Sequence, residues 1–137
     1  MPFVDAYKKK LLDAVYGNTA VGPPATVHVG LSTTTPTQVG GNITEPSGNA
    51  YARIAVTNNT TNWPAASTAN PSVKSNGTTI TFAQATGSWG TVTHWVIFDA
   101  STAGNPIDWA ALTASQTINT GTTASFAVGQ LVSQLSG

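Results

Sequence analysis

The groups in this chain that could move a proton or hold a metal are few. They are five carboxylates, Asp5, Asp13, Glu45, Asp99 and Asp108, and two imidazoles, His28 and His94. Acid–base chemistry needs two such groups converging on one point, as paired carboxylates do across a sugar ring. His94 and Asp99 are five residues apart in a stretch that alternates like a strand, which places them on opposite faces. Asp99 and Asp108 flank a predicted hairpin and can approach each other. Directly before Ala100-Ser101, however, Asp99 reads first as a turn former that bonds its own backbone. His28 and His94 can meet across a sheet, but without a carboxylate beside them they make a poor metal site. Histidines paired with backbone carbonyls are the ordinary outcome. There is no cysteine, no phosphate-cradling glycine loop and no Gly-x-Ser-x-Gly elbow. This inventory predicts a protein that is not an enzyme, with no catalytic residues, no metal and no cofactor.

The tryptophans are the remaining candidates for recognition. Trp95 and Trp109 fall in predicted strands and read as core. Trp63 stands beside Pro64 in a loop, and Trp89 in a Gly-Ser-Trp-Gly turn. A loop tryptophan packs its own loop, anchors a protein interface or stacks on a sugar. Trp63 and Trp89 are therefore the candidate loop contacts.

The elements that must carry these residues are legible from spacing. Phe3, Val4, Tyr7, Leu11, Ala14 and Val15 recur every three or four residues, with Asp5, Lys8, Lys9, Lys10 and Asp13 between them. That is a short amphipathic helix over residues 1–16, opened by Pro2 and stopped by Gly17-Asn18. So short a helix needs a surface to lie on. Phe3, Val4, Tyr7 and Leu11 are the residues predicted to dock, either on the chain's own body or on a neighbouring subunit.

After Gly22-Pro23-Pro24 the period becomes two. Strands are predicted at Thr26–Ser32, Tyr51–Thr57, Thr78–Phe82, Thr91–Phe98, Ile107–Leu112, Gln116–Ile118, Ala124–Val128 and Leu131–Leu135. Thr91–Phe98 is apolar on both faces, as a central strand is. Long loops are predicted over 33–49 and 58–77, a length that usually marks contact surfaces. Turn signals between many short strands favour a β-sandwich or jelly roll. The expectation is an all-β fold with one helix, a docking segment at 1–16 and a single sandwich domain at 17–137.

Composition narrows the partners. Only 7% of the 137 residues are charged, against about 25% in a typical soluble protein. Thr, Ser and Asn replace them, supplying roughly a third of the chain. The net charge is zero, which argues against nucleic acid and anionic membrane as partners. Covering a hydroxyl or amide costs less than covering a charge, so such a surface suits an assembly. Met1 to Lys10 lacks the apolar core of a signal peptide, and no apolar run approaches the roughly 20 residues that span a bilayer. The chain is expected to be made in the cytoplasm.

Ordered segments along nearly the whole chain carry a resemblance. They are Lys10-Leu11-Leu12-Asp13, Pro24 through Ser32, Glu45-Pro46-Ser47-Gly48, Tyr51-Ala52-Arg53 and Asn76-Gly77 before Ile80-Thr81-Phe82. They continue with Gly87-Ser88-Trp89-Gly90, Val92-Thr93-His94, Ile97-Phe98-Asp99-Ala100, Ala103-Gly104-Asn105 and Phe126-Ala127-Val128-Gly129. Together these resemble a family of small phage and prophage virion proteins often described as tail fibre proteins. Small β-domains of this type also look like capsid decoration, or cement, proteins. The resemblance implies a virion component and no catalytic set.

Two assemblies follow as expectations. The first is a capsid decoration protein, a homotrimer docked on the major capsid protein or another virion protein through the helical residues. It is motivated by the short single domain, the low charge and the absence of a shaft repeat. The second is a tail-fibre or tail-tip adhesin touching a host glycan through Trp63 and Trp89. A free glycan-binding lectin is a third class, which would not be found in purified particles.

Overall fold

The computed structural model describes residues 3–136. Helix α1 (Asp5–Val15) is followed by strands β1 (Thr26–Ser32), β2 (Ile54–Thr57), β3 (Ser72–Ser75), β4 (Ile80–Thr81), β5 (Gly90–Phe98), β6 (Pro106–Ile118), β7 (Ser125–Phe126) and β8 (Val132–Leu135). The all-β fold with one N-terminal helix is as the spacing predicts.

Four strands form an antiparallel sheet in the order β2-β1-β5-β6. Directly opposed residues share a face. Val29 opposes both Ile54 and Ile97, and Leu31 opposes Trp95. These side chains, with Val27, Val56, Val92 and Ile107, make one apolar face. The layer packed on it is two narrow ribbons, β3–β8 and β4–β7. Ile80, Phe82, Phe126 and Leu131 reach from that layer into the same core.

The second face of the sheet is also covered, which explains why β5 is apolar on both sides. Val96 and Phe98 on this face are buried. Their cover is the 33–53 segment, whose backbone is held from within. Buried Ser32 donates from Oγ to Thr34 O and accepts from the Thr34 and Thr44 amides. The key contact is Arg53. Its guanidinium carbon lies 3.4 Å from the centre of the Phe98 ring. Nε and Nη2 form a fork on Glu45 at 3.0 and 2.7 Å. Nη1 donates to Ala100 O and Ala103 O, both at 2.8 Å, in the turn between β5 and β6. Gly30 lies beneath this pair: a Cβ there would come within 2.8 Å of Glu45 Oε1 and 3.0 Å of both Phe98 and the Tyr51 hydroxyl.

Several local expectations are corrected. Only Ile54–Thr57 of the predicted 51–57 strand pairs with β1. Upstream, the Tyr51 hydroxyl accepts from the Leu31 amide at 2.9 Å and so occupies the edge that β2 does not reach. The predicted 58–77 loop contains β3, a polar four-residue strand that pairs with β8. The two strands predicted over 107–118 are one. Their predicted break survives as a bulge, where Leu112–Ser115 lies opposite the single residue Thr93. His28 and His94 do not meet, since they oppose Phe98 and Ser32 respectively along β1 and β5. Nor do they bond carbonyls as expected. His94 Nδ1 is 2.7 Å from Thr93 Oγ1, and buried His28 Nδ1 has no partner among the described residues. Asp99 is the turn former expected, accepting from the Asn105 amide at 2.7 Å and its side chain at 3.0 Å.

Two substitutions test the Arg53 contact. Arg53→Lys keeps the charge but loses the fork and the stacked plane, and is expected to cost about 2–3 kcal/mol. Gly30→Ala pushes a methyl against the held carboxylate and is expected to cost about 1–3 kcal/mol. Urea denaturation of the purified variants measures both. Wild-type midpoints would show that the second face does not rely on this cluster.

Candidate functional site

The start of α1 is clamped to the body by backbone. Val4 N–H donates to Ile107 O at 3.1 Å on the outer edge of β6, and Asp5 N–H to Gln38 O at 2.8 Å. The Val4 side chain is 3% exposed. Phe3 and Tyr7 stack with ring centres 6.0 Å apart and lean on the core. Leu11 is half-buried, one turn farther out. Thus Val4 serves this chain's own packing, and Phe3 and Tyr7 face the body.

Trp63 arrives at the same place from the other side. The Asn59 side chain accepts from the Thr61 and Asn62 amides, and the Trp63 amide donates to Asn59 O at 2.9 Å. This tight turn rolls the indole inward until it is 8% exposed. Its Nε1–H has no acceptor among the described residues. Trp89, the other loop candidate, is a core pillar. It is 4% exposed, donates from Nε1 to Asn49 O at 2.8 Å, and meets Tyr51 edge-on with ring centres 5.2 Å apart.

Between α1, the Trp63 turn, the sheet and the β3–β8 ribbon lies a cavity of about 270 Å³. Phe3, Tyr7 and Trp63 all line it, so three residues singled out separately in the sequence share one site. Val73, Ile97, Ile107 and Leu135 complete its apolar walls. Three of its polar side chains are engaged elsewhere. Lys74 Nζ donates to Pro64 O, the Asn58 amide to Pro24 O and the Ser72 hydroxyl to Ser67 O.

Asp108, for which the sequence suggests no role of its own, also lines the cavity. It opposes Ile97 and therefore points to the core face. Its carboxyl accepts from the Trp109 amide at 2.9 Å and from the Ser133 hydroxyl of β8. No basic side chain compensates it, and burial pushes its pKa up to about 6 against the pull of those two hydrogen bonds. One acid inside the apolar run Ile107–Leu112 was the available signal. Among the described residues, no three His, Cys, Asp or Glu come together as a metal cage would require. A wider groove of about 700 Å³ runs along the β6 bulge towards Phe126 and Val132, and no charged residue lines it.

The raised pKa fixes a sign. Folding favours the protonated acid, so Asp108 contributes stability that is complete below its ordinary range and lost as pH rises through about 6. The loss between pH 4 and 7 is on the order of 2–3 kcal/mol. Asp108→Asn removes the ionisation, keeps the Trp109 amide bond on Oδ1 and can hold Ser133 by donating from Nδ2 to its Oγ, and is expected to be more stable than wild type at pH 7 and indistinguishable near pH 4. Thermal melts across that range check this. A variant that loses stability equally at both pH values would show the acid to be ordinary.

One family model, described as Podophage GP4 fiber I protein gp80, matches residues 2–134. No curated protein matches the chain. The family match runs almost from end to end, so the chain belongs to this podophage fibre protein family and is a phage structural component.

Proposed function

We propose that the chain is a non-enzymatic subunit of a phage tail fibre, working by contact with copies of itself and with other virion proteins. The observation that carries this reading is the extent of the family match, residues 2–134. That match takes in the helix and the strands alike. The uncharged surface and the aromatic cavity suit protein–protein packing.

Capsid decoration was the first expectation, and its motives were small size and scarce charge. Those features serve an assembled subunit on either part of the particle, whereas membership of a fibre protein family favours the fibre. Glycan stacking on Trp63 and Trp89 loses its support, because both rings are buried. Host contact, if this fibre makes it, falls to other surfaces.

Averaged electron microscopy of particles from the phage encoding this chain tests the assignment, using an antibody fragment raised against the folded domain. Extra density on tail appendages is the expected result. Density repeating over the head lattice would overturn the fibre assignment in favour of decoration.

A further inference from the structure

We propose that the Asp108 carboxyl is a latch on strand β8, closed in acid and released towards neutral pH, and that its release opens one side of the cavity at the foot of α1. The inference begins with how little else holds β8. Its residues are exposed except for half-buried Ser133. Even its two apolar side chains, Val132 and Leu135, are 38% and 42% exposed. One edge pairs with β3, from Ser75↔Val132 to Ser72↔Leu135. The start of the strand is firm, because Leu131 is fully buried and its amide donates to the Asn76 side chain at 2.9 Å. Beyond that anchor, the one side-chain hydrogen bond from β8 to the sheet among the described residues runs from the Ser133 hydroxyl to Asp108. Ser133, Gln134 and Leu135 line the cavity, so the space beneath them is not filled by packed side chains. A strand with few buried contacts and a void on one side opens locally before the body unfolds.

The latch is sensitive to charge because of what surrounds it. Asp108 is 2% exposed although it borders the cavity. Each element around that space brings groups to bear. From β8 come the Ser133 hydroxyl and the Gln134 amide, both neutral. From α1 comes Tyr7, whose hydroxyl is held protonated by burial and by the charge of Asp99. From β3 comes Lys74, whose ammonium donates to Pro64 O and makes no ion pair among the described residues. Neither histidine lines the cavity. The Ser133 and Trp109 bonds and the charge of the chain's amino group favour the carboxylate, and desolvation outweighs them. Ionisation strengthens the Ser133 bond, but one hydroxyl does not replace a hydration shell. A charge set among Phe3, Val73, Ile97 and Leu135 is relieved most directly when β8 lifts at Leu131 and water enters.

The test is amide hydrogen exchange of the full chain, followed by nuclear magnetic resonance from acid to neutral pH. Each rate is divided by the intrinsic chemical rate at that pH. Amides of β8 are expected to be less protected throughout than those of Val29 and Val96, in strands paired on both edges. Their protection should fall with rising pH by on the order of tenfold or more, since an opening that hydrates Asp108 is linked to its ionisation. Asp108→Asn should abolish that fall, and Ser133→Ala should lower β8 protection even in acid. Four results would each overturn the latch. Protection of β8 that ignores pH means that its openings leave the acid buried. Protection equal to that of Val29 and Val96 means that β8 never opens alone. Protection that rises with pH means that Lys74 swings onto the carboxylate and closes the strand. Undiminished protection in Ser133→Ala means that the hydroxyl bond does not hold it.

Discussion

A single guanidinium determines whether the central sheet can be covered on its second side. Arg53 is stacked on Phe98, forked on Glu45 and bonded to two carbonyls of the β5–β6 turn. These contacts join three stretches that are far apart in sequence. Glu45 belongs to the covering segment, Phe98 to the inner strand β5, and Ala100 and Ala103 to the turn that delivers β6. A buried charge with an open donor would cost several kcal/mol, so the fork and both carbonyl bonds are needed together. Gly30 follows from the same constraint, because any side chain there would take the space of the Glu45 carboxylate and the Tyr51 hydroxyl.

The opposite side is built more loosely, and the cavity is a consequence. Two narrow ribbons cannot close over a four-stranded sheet as a second full sheet would. Part of the gap is bridged by buried Asn76. It donates to Thr78 O and Ala127 O and accepts from the Leu131 amide, tying the end of β3 to the turn before β8. The rest is roofed by the first turn of α1 and by the Trp63 turn, and between these two roofs the space stays open. The helix is thus part of the layer that the ribbons leave incomplete, while its distal end points away from the body.

How much was legible in the sequence follows from which forces leave a periodic trace. β1 alternates because it packs one apolar face on the core, β5 is apolar on both faces because both are covered, and their bounds fall within one residue of expectation. β3 left no trace. Ser72-Val73-Lys74-Ser75 is half-buried throughout and held by its ladder with β8, so hydrophobic alternation has nothing to record. Of the covering segment, residues 33–49 were legible only as a loop and residues 51–53 were read as strand, because its order comes from side chains bonding backbone and not from a repeat. Phe3, Tyr7 and Trp63 were recognisable one by one from residue type and neighbourhood. That they meet depends on the crossing of α1, β6 and the 58–71 segment, which single-chain spacing does not encode. Asp108 was visible as an acid in an apolar run, yet its role needed the register that sets it opposite Ile97.

The scarcity of charge acquires a sharper meaning once each charged side chain is placed. Half of the ten lie at or before Asp13. The five that remain are each engaged within the chain. Glu45 and Arg53 hold one another, Lys74 bonds Pro64 O, Asp99 bonds Asn105 and Asp108 bonds Ser133. The outer surface of the β body therefore offers a partner hydroxyls, amides and methyl groups, with almost no fixed charge to steer or repel it. Weak, undirected surfaces of this kind can pack side by side with little desolvation cost, but they do not by themselves choose an orientation. Orientation must then come from a feature with direction, and the structure has one such feature on its exterior: α1, with Lys8, Lys9 and Lys10 along its length and an apolar stripe at its end. Under the fibre reading proposed above, a neutral body beside one directional element would suit a repeating protein assembly.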